Sequence, residues 1–163
     1  MIERQHLKDI LHHVTIFAGV TDIGFEKLCN ECGVIECSTG DVFIREGTPA
    51  KEIYIILEGK IKIVLDIEND PLELIELHSG DCIGETSVIG IQRHSASAVV
   101  TEPATLLVLS RDVLMDIYNR DKEFFSLLIL NIARELARRL LKTDTMLLHY
   151  KKLVQEHNAR MLV

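Results

Sequence analysis

Between Gly80 and Ala98 the chain gathers most of the groups that could do chemistry: Gly84-Glu85-Thr86, then Arg93-His94-Ser95-Ala96. A glycine followed by glutamate at the start of a short helix lets backbone amides approach an anion and meet it with the helix dipole. The Ser95 hydroxyl can donate to a phosphate oxygen, and the Glu85 carboxylate can accept from a sugar hydroxyl. Together these groups suit non-covalent capture of a phosphorylated sugar. Two plainer roles stand beside that one: Glu85 as the cap of the helix it opens, and Ser95 as an ordinary strand residue.

The cysteines are the other chemically capable set. Cys29-x-x-Cys32, with Cys37 nearby and Cys82 distant, supplies thiolates of the kind that hold zinc or an iron–sulfur cluster. The simpler expectation is packing, with Cys29 and Cys32 on a helix around Leu28 and Cys37 as a small strand residue. His12-His13 and His78 carry no assignment. A barrel-fold metalloenzyme needs a clustered His-x-His with a carboxylate, and that cluster is missing. Neither a metal nor catalysis is expected.

The elements around these residues can be read from their spacing. Apolar residues Ile2, Leu7, Ile10, Leu11 and Val14 recur at helical intervals. Thr21 or Asp22 can cap a second helix running to about Glu31, and Gly33 suits its end. The middle of the chain then turns β-branched, in short runs at 34–38, 42–45, 53–58, 61–66 and 72–78. Further runs follow at 97–100 and 105–109. Turn-forming stretches such as Gly47-Thr48-Pro49 and Glu68-Asn69-Asp70-Pro71 separate them, which points to an antiparallel barrel or jelly roll. After Ser110 a helix covers 111–118, and 121–154 forms one long helical pattern without proline or glycine. Its residues Ile129, Ala133, Leu136, Leu140, Thr143, Leu147, Tyr150 and Val154 step by fours and threes, the spacing of a coiled-coil seam. The basic run Arg134, Arg138, Arg139 and Lys142 is expected on a solvated face.

Composition narrows the class. The 163 residues are 47% hydrophobic and 26% charged, ordinary values for a globular domain. Eighteen basic residues against 25 acidic give a net charge of −7, a poor balance for holding duplex DNA through its phosphates. Only nine residues follow Val154, too few for a helix-turn-helix. No apolar run reaches membrane-spanning length, and no secretory signal opens the chain. The expectation is therefore a cytoplasmic protein that engages neither DNA nor membrane.

The stretch Gly80-Asp81-Cys82-Ile83-Gly84-Glu85 with Ser95-Ala96 resembles the phosphate-binding cassette of the cyclic-nucleotide-binding domain. That domain occurs in bacterial catabolite activator proteins and in regulatory subunits of cyclic-nucleotide-dependent kinases. Gly40-Asp41-Val42-Phe43-Ile44-Arg45-Glu46-Gly47, Tyr54-Ile55-Ile56-Leu57-Glu58-Gly59 and Ala137-Arg138-Arg139-Leu140 extend the likeness from about Phe17 to Leu148. The resemblance implies a mainly β fold with helices: a jelly-roll-like β-roll (double-stranded β-helix) with N-terminal helices over 1–120. A long C-terminal dimerisation helix over 121–163 completes it. The resemblance places the ribose 2′-hydroxyl on Glu85 and the backbone of Gly84 and Thr86 near sugar and phosphate. It puts Ser95, with Ala96, on the cyclic phosphate and Thr143 at the base. The chain departs from the family where an arginine usually precedes the serine: His94 stands there, with Arg93 one place earlier. Adjacent strand residues point to opposite faces, so Arg93 would need a local shift, whereas a protonated His94 could take over part of the role.

The expected function is a stand-alone, non-catalytic sensor of cyclic AMP or cyclic GMP, a homodimer acting on an unidentified protein partner. The alternatives are a ligand-free dimeric interaction module and a cysteine-based redox or metal sensor on the same fold.

Overall fold

A computed structural model describes the backbone of residues 4–161 and the side chains of residues 6–155. Ile2, the first apolar position of the N-terminal helical pattern, lies outside the described residues, as do the outermost residues of the two segments expected at 1–120 and 121–163.

Helices α1 (Arg4–Leu11) and α2 (Asp22–Glu31) flank a 3-10 turn at Thr15–Phe17. The Thr21 hydroxyl caps α2 by accepting from Gly24 N. A β-branched and aliphatic stretch follows, and six strands form from it: β1 (Gly33–Cys37), β2 (Val42–Ile44), β3 (Glu52–Leu65), β4 (Leu72–Leu77), β5 (Cys82–Ile83) and β6 (Ser97–Ser110). A one-and-a-half-turn helix, α3 (Glu85–Ile89), separates β5 from β6. Helix α4 (Arg111–Arg120) is capped by Ser110, and α5 (Lys122–Met161) runs for 40 residues. Asp121 caps α5 by accepting from Phe124 N at 3.0 Å.

All strand pairs are antiparallel, in the order β1-β6-β3-β4, with β2 added to β6 and β5 to β3. The runs expected at 53–58 and 61–66 are one strand, and so are those at 97–100 and 105–109. Glycine and proline do not end these strands because β3 and β6 stay paired from Glu52↔Ser110 to Val64↔Ser97, taking up the irregularity as bulges near Glu58 and Lys60. Gly59 sits at that bend with φ +92°, where a Cβ would collide with the Pro103 carbonyl and Ala104, so only glycine lets the two strands approach there.

The sheet separates two cores. On one face Ile53, Ile55, Leu57, Leu107 and Leu109 meet Phe17, Phe25 and Leu28 of the N-terminal segment and Leu128 and Ile132 of α5. On the other, Ile44, Ile56, Ile61, Leu77, Ile83 and Leu106 close the interior of the roll. Each fully buried aliphatic or aromatic side chain contributes about 1.5–3 kcal/mol. The helical core therefore roots the first half of α5 firmly. Buried Asn131 adds to this by donating to the carbonyls of Ile16 and Ala18. The second half of α5 passes out over the roll. The fold is thus an antiparallel β-roll with flanking helices and a long C-terminal helix.

Candidate ligand-binding site

Gly84 carries φ +91°, and a Cβ there would come 2.7 Å from the Glu52 carbonyl. That left-handed glycine turns the chain from β5 into α3, and it sends Glu85 inward to a relative exposure of 1%. The buried carboxylate meets Arg139, which reaches across from α5: Nη1 donates to Glu85 Oε1 at 2.6 Å. The rest of that guanidinium is engaged too. Nη2 donates to the Cys82 carbonyl at 2.7 Å, and Nε to Glu135 Oε1 at 3.1 Å. The second oxygen, Glu85 Oε2, is buried without a hydrogen-bond partner. Burial raises the Glu85 carboxyl above its ordinary pKa, and the Arg139 charge pulls the other way. A buried carboxylate oxygen left unpaired is costly, so Oε2 keeps an acceptor site open.

The cavity it adjoins holds about 610 Å³, within the usual size of small-molecule sites. One wall is polar: Gly84, Glu85, Thr86, His94 and Ser95. The other is aliphatic, with Ile44, Ile63, Leu72, Leu74 and Ile75 from the strands and Met146 and Tyr150 from α5. The helix therefore forms a side of the cavity, contributing Arg139, Lys142 and Thr143 as well. Of the residues singled out in the sequence, Gly84, Glu85, Thr86, His94, Ser95, Ala96 and Thr143 share this cavity. Thr143 is tied back to its own helix, its hydroxyl donating to the Arg139 carbonyl at 2.9 Å.

Arg93 stands apart. It bridges to Pro49, its Nη1 donates to the Gly47 carbonyl at 2.7 Å, and it lies outside the cavity lining. Extended backbone alternates its faces, and His94 rather than Arg93 takes the inward place. His94 is fixed by its own backbone, which accepts from Gly47 N and donates to the Thr48 carbonyl. Burial lowers the imidazole pKa, outweighing the pull of the Glu52 carboxylate, which favours the neutral ring.

Sequence reasoning missed Arg139. It belongs to a basic run expected on a solvated face, and the structure turns it in to Glu85 instead, because it continues the inward stripe of Leu128, Ile132 and Glu135. The signal was present, as a guanidinium spaced one turn from Glu135 and one turn from Thr143 along that stripe. Thr143, Leu147 and Tyr150, expected in the coiled-coil seam, also line the cavity. Cys29 and Cys32 pack against the helical core, and burial raises the Cys32 thiol to about 12, which leaves it unreactive. Among the described residues no three His, Cys, Asp or Glu side chains gather to hold a metal ion.

The profile of the cyclic nucleotide-binding domain matches residues 34–121, more than half of the chain. The chain belongs to that family. It is 25% identical over 115 residues to the cGMP-dependent protein kinase egl-4 of Caenorhabditis elegans, covering 69% of this chain and 15% of the kinase. The domain thus spans a small part of that relative's length. A cyclic nucleotide-binding domain from Methylobacillus flagellatus superposes with a TM-score of 0.78 at 23% identity, over 89% of this chain and 84% of that one. The catabolite activator protein of Thermus thermophilus does so with a TM-score of 0.71 at 25% identity, over 82% and 61%. The β-roll with its long terminal helix is therefore the fold of cyclic-nucleotide-binding regulators. Among the described residues no helix is long and apolar enough to cross a membrane.

Proposed function

We propose that this domain is a non-catalytic regulatory module that takes cyclic AMP or cyclic GMP in the cavity between the roll and α5. The observation that carries the reading is the unpaired, buried Glu85 Oε2 at the cavity's polar end. In this reading Oε2 accepts from the ribose 2′-hydroxyl, while Gly84 and Thr86 flank sugar and phosphate. Ser95 and Ala96 adjoin the phosphate, with His94 beside them, and Thr143 faces the base. Arg93, held at the rim by Gly47, joins only if the 47–49 loop moves.

Because α5 is one wall, a ligand that binds the docked helix better than the undocked one shifts their populations. Leu130, Leu141 and Leu148 lie exposed on α5 away from the Arg139 stripe, which supports pairing with a second copy. The dimer acts in the cytoplasm on a protein partner. One observation favours a second reading, a dimeric interaction module that holds no ligand: the inward place before Ser95 belongs to a neutral imidazole.

Titration calorimetry with cyclic AMP and cyclic GMP, alongside Glu85→Ala and Ser95→Ala, tests the proposal. Saturable binding that falls at least about tenfold in both variants supports it. No heat with either nucleotide at millimolar concentration moves the assignment to the interaction module.

A further inference from the structure

The charges around the cavity are unusual for a site that is to hold an anion. Two carboxylates, Glu85 and Glu135, share one guanidinium, so the charge of Arg139 is already answered, and its Nη2 donates to the Cys82 carbonyl. Arg93 is committed to Gly47 outside the lining. Lys142 lines the cavity from α5 but is solvent-exposed, where water and salt screen its charge. Thus no unengaged, buried cation faces the polar wall among the described residues. A phosphate brought here exchanges its water for hydroxyls, amides and an imidazole that must first take up a proton to answer its charge, a poor return for desolvating an anion.

The same wall matches hydroxyl groups well. Glu85 Oε2 accepts and Ser95 Oγ both donates and accepts. A neutral imidazole offers one donor and one acceptor, whereas a phosphodiester only accepts. The aliphatic wall of Ile63, Leu72, Leu74 and Met146, with the Tyr150 ring, suits a flat heteroaromatic base. We infer that the site reads the ribose and base rather than the phosphate, and takes an uncharged ribonucleoside about as tightly as the cyclic nucleotide. This rests on the proposed assignment of the cavity and narrows its ligand class.

The test titrates the full chain with adenosine, guanosine, 2′-deoxyadenosine and cyclic AMP, and repeats the series on His94→Arg. Adenosine or guanosine is expected within about tenfold of cyclic AMP, and the 2′-deoxy compound about tenfold or more weaker than adenosine. His94→Arg is expected to shift the preference toward cyclic AMP, raising the ratio of its affinity to that of adenosine by about 30-fold or more. Circular dichroism of that variant verifies its fold. Cyclic AMP binding about 100-fold or more tighter than either nucleoside overturns the inference and leaves the cyclic-nucleotide assignment standing. No binding of either nucleoside overturns it as well, and if cyclic AMP is also without effect on both proteins, the assignment of the cavity falls with it.

Discussion

His94 stands where the resemblance to the family leads one to expect an arginine, and its consequence is a proton. The ring is desolvated beside Gly84 and faces Glu52 on β3, with the Glu85–Arg139 pair beyond that glycine. Burial holds its pKa below the usual histidine value, so a cyclic phosphate placed against it raises that pKa and binding takes up a proton. Affinity for cyclic AMP is therefore expected to climb as pH falls through the interval between the free and bound pKa values, and to level off above it. Adenosine, lacking the charge, gives no such climb. Protonation of Glu85 in acid weakens both ligands alike through the sugar, so the ratio of the two affinities isolates His94. Calorimetry between about pH 5 and 8 reads this directly, and a ratio that stays flat removes His94 from the phosphate. Glu85, Ser95 and His94 were singled out by their types, and the structure brings all three to one cavity. Arg139 was not, since its one-turn spacing from Glu135 and Thr143 points inward only once the position of the roll is known.

At the scale of elements, the Glu85–Arg139 pair is what docks the middle of α5 onto the roll. Removing Arg139 strands a buried carboxylate, and breaking a buried pair costs about 3–5 kcal/mol. The Arg139 side chain is 32% exposed, so Arg139→Ala is expected to lower stability by a smaller amount, about 2–3 kcal/mol, in urea unfolding. The deficit should shrink in acid, because a protonated Glu85 no longer needs the cation. A deficit independent of pH would mean that the arginine's aliphatic stem, rather than its charge, holds the helix. The strands themselves were legible as β-branched runs, since side-chain type records which faces are covered. The continuity of β3 through Gly59 and of β6 through Pro103 was not. It depends on each strand having the other as a partner along its whole length, a property of the pair that neither segment carries alone.

For the whole molecule, the helical spacing predicted a single seam along α5, yet the helix serves two surfaces. Thr143, Leu147 and Tyr150 are turned to the cavity, while Leu130, Leu141 and Leu148 remain exposed on another side. The spacing was readable, but the assignment of its residues required knowing where the roll lies. Burying two such leucines in a helix pair contributes about 3 kcal/mol or more, so Leu141→Asp with Leu148→Asp is expected to weaken a dimer by at least about 100-fold. Light scattering on the eluting protein should then show half the mass, with ligand heats preserved; an unchanged mass would place the contact elsewhere. Arg139 also reaches beyond the cavity. Its partner Glu135 accepts from the Thr15 hydroxyl at 3.2 Å, and Asn131 one turn earlier grips the same 3-10 turn. The Glu85 carboxylate is thereby joined, through Arg139 and Glu135, to the 3-10 turn between α1 and α2. A tilt of α5 would tow that N-terminal pair like a rudder, so a change at the cavity would also be felt at the opposite end of the chain.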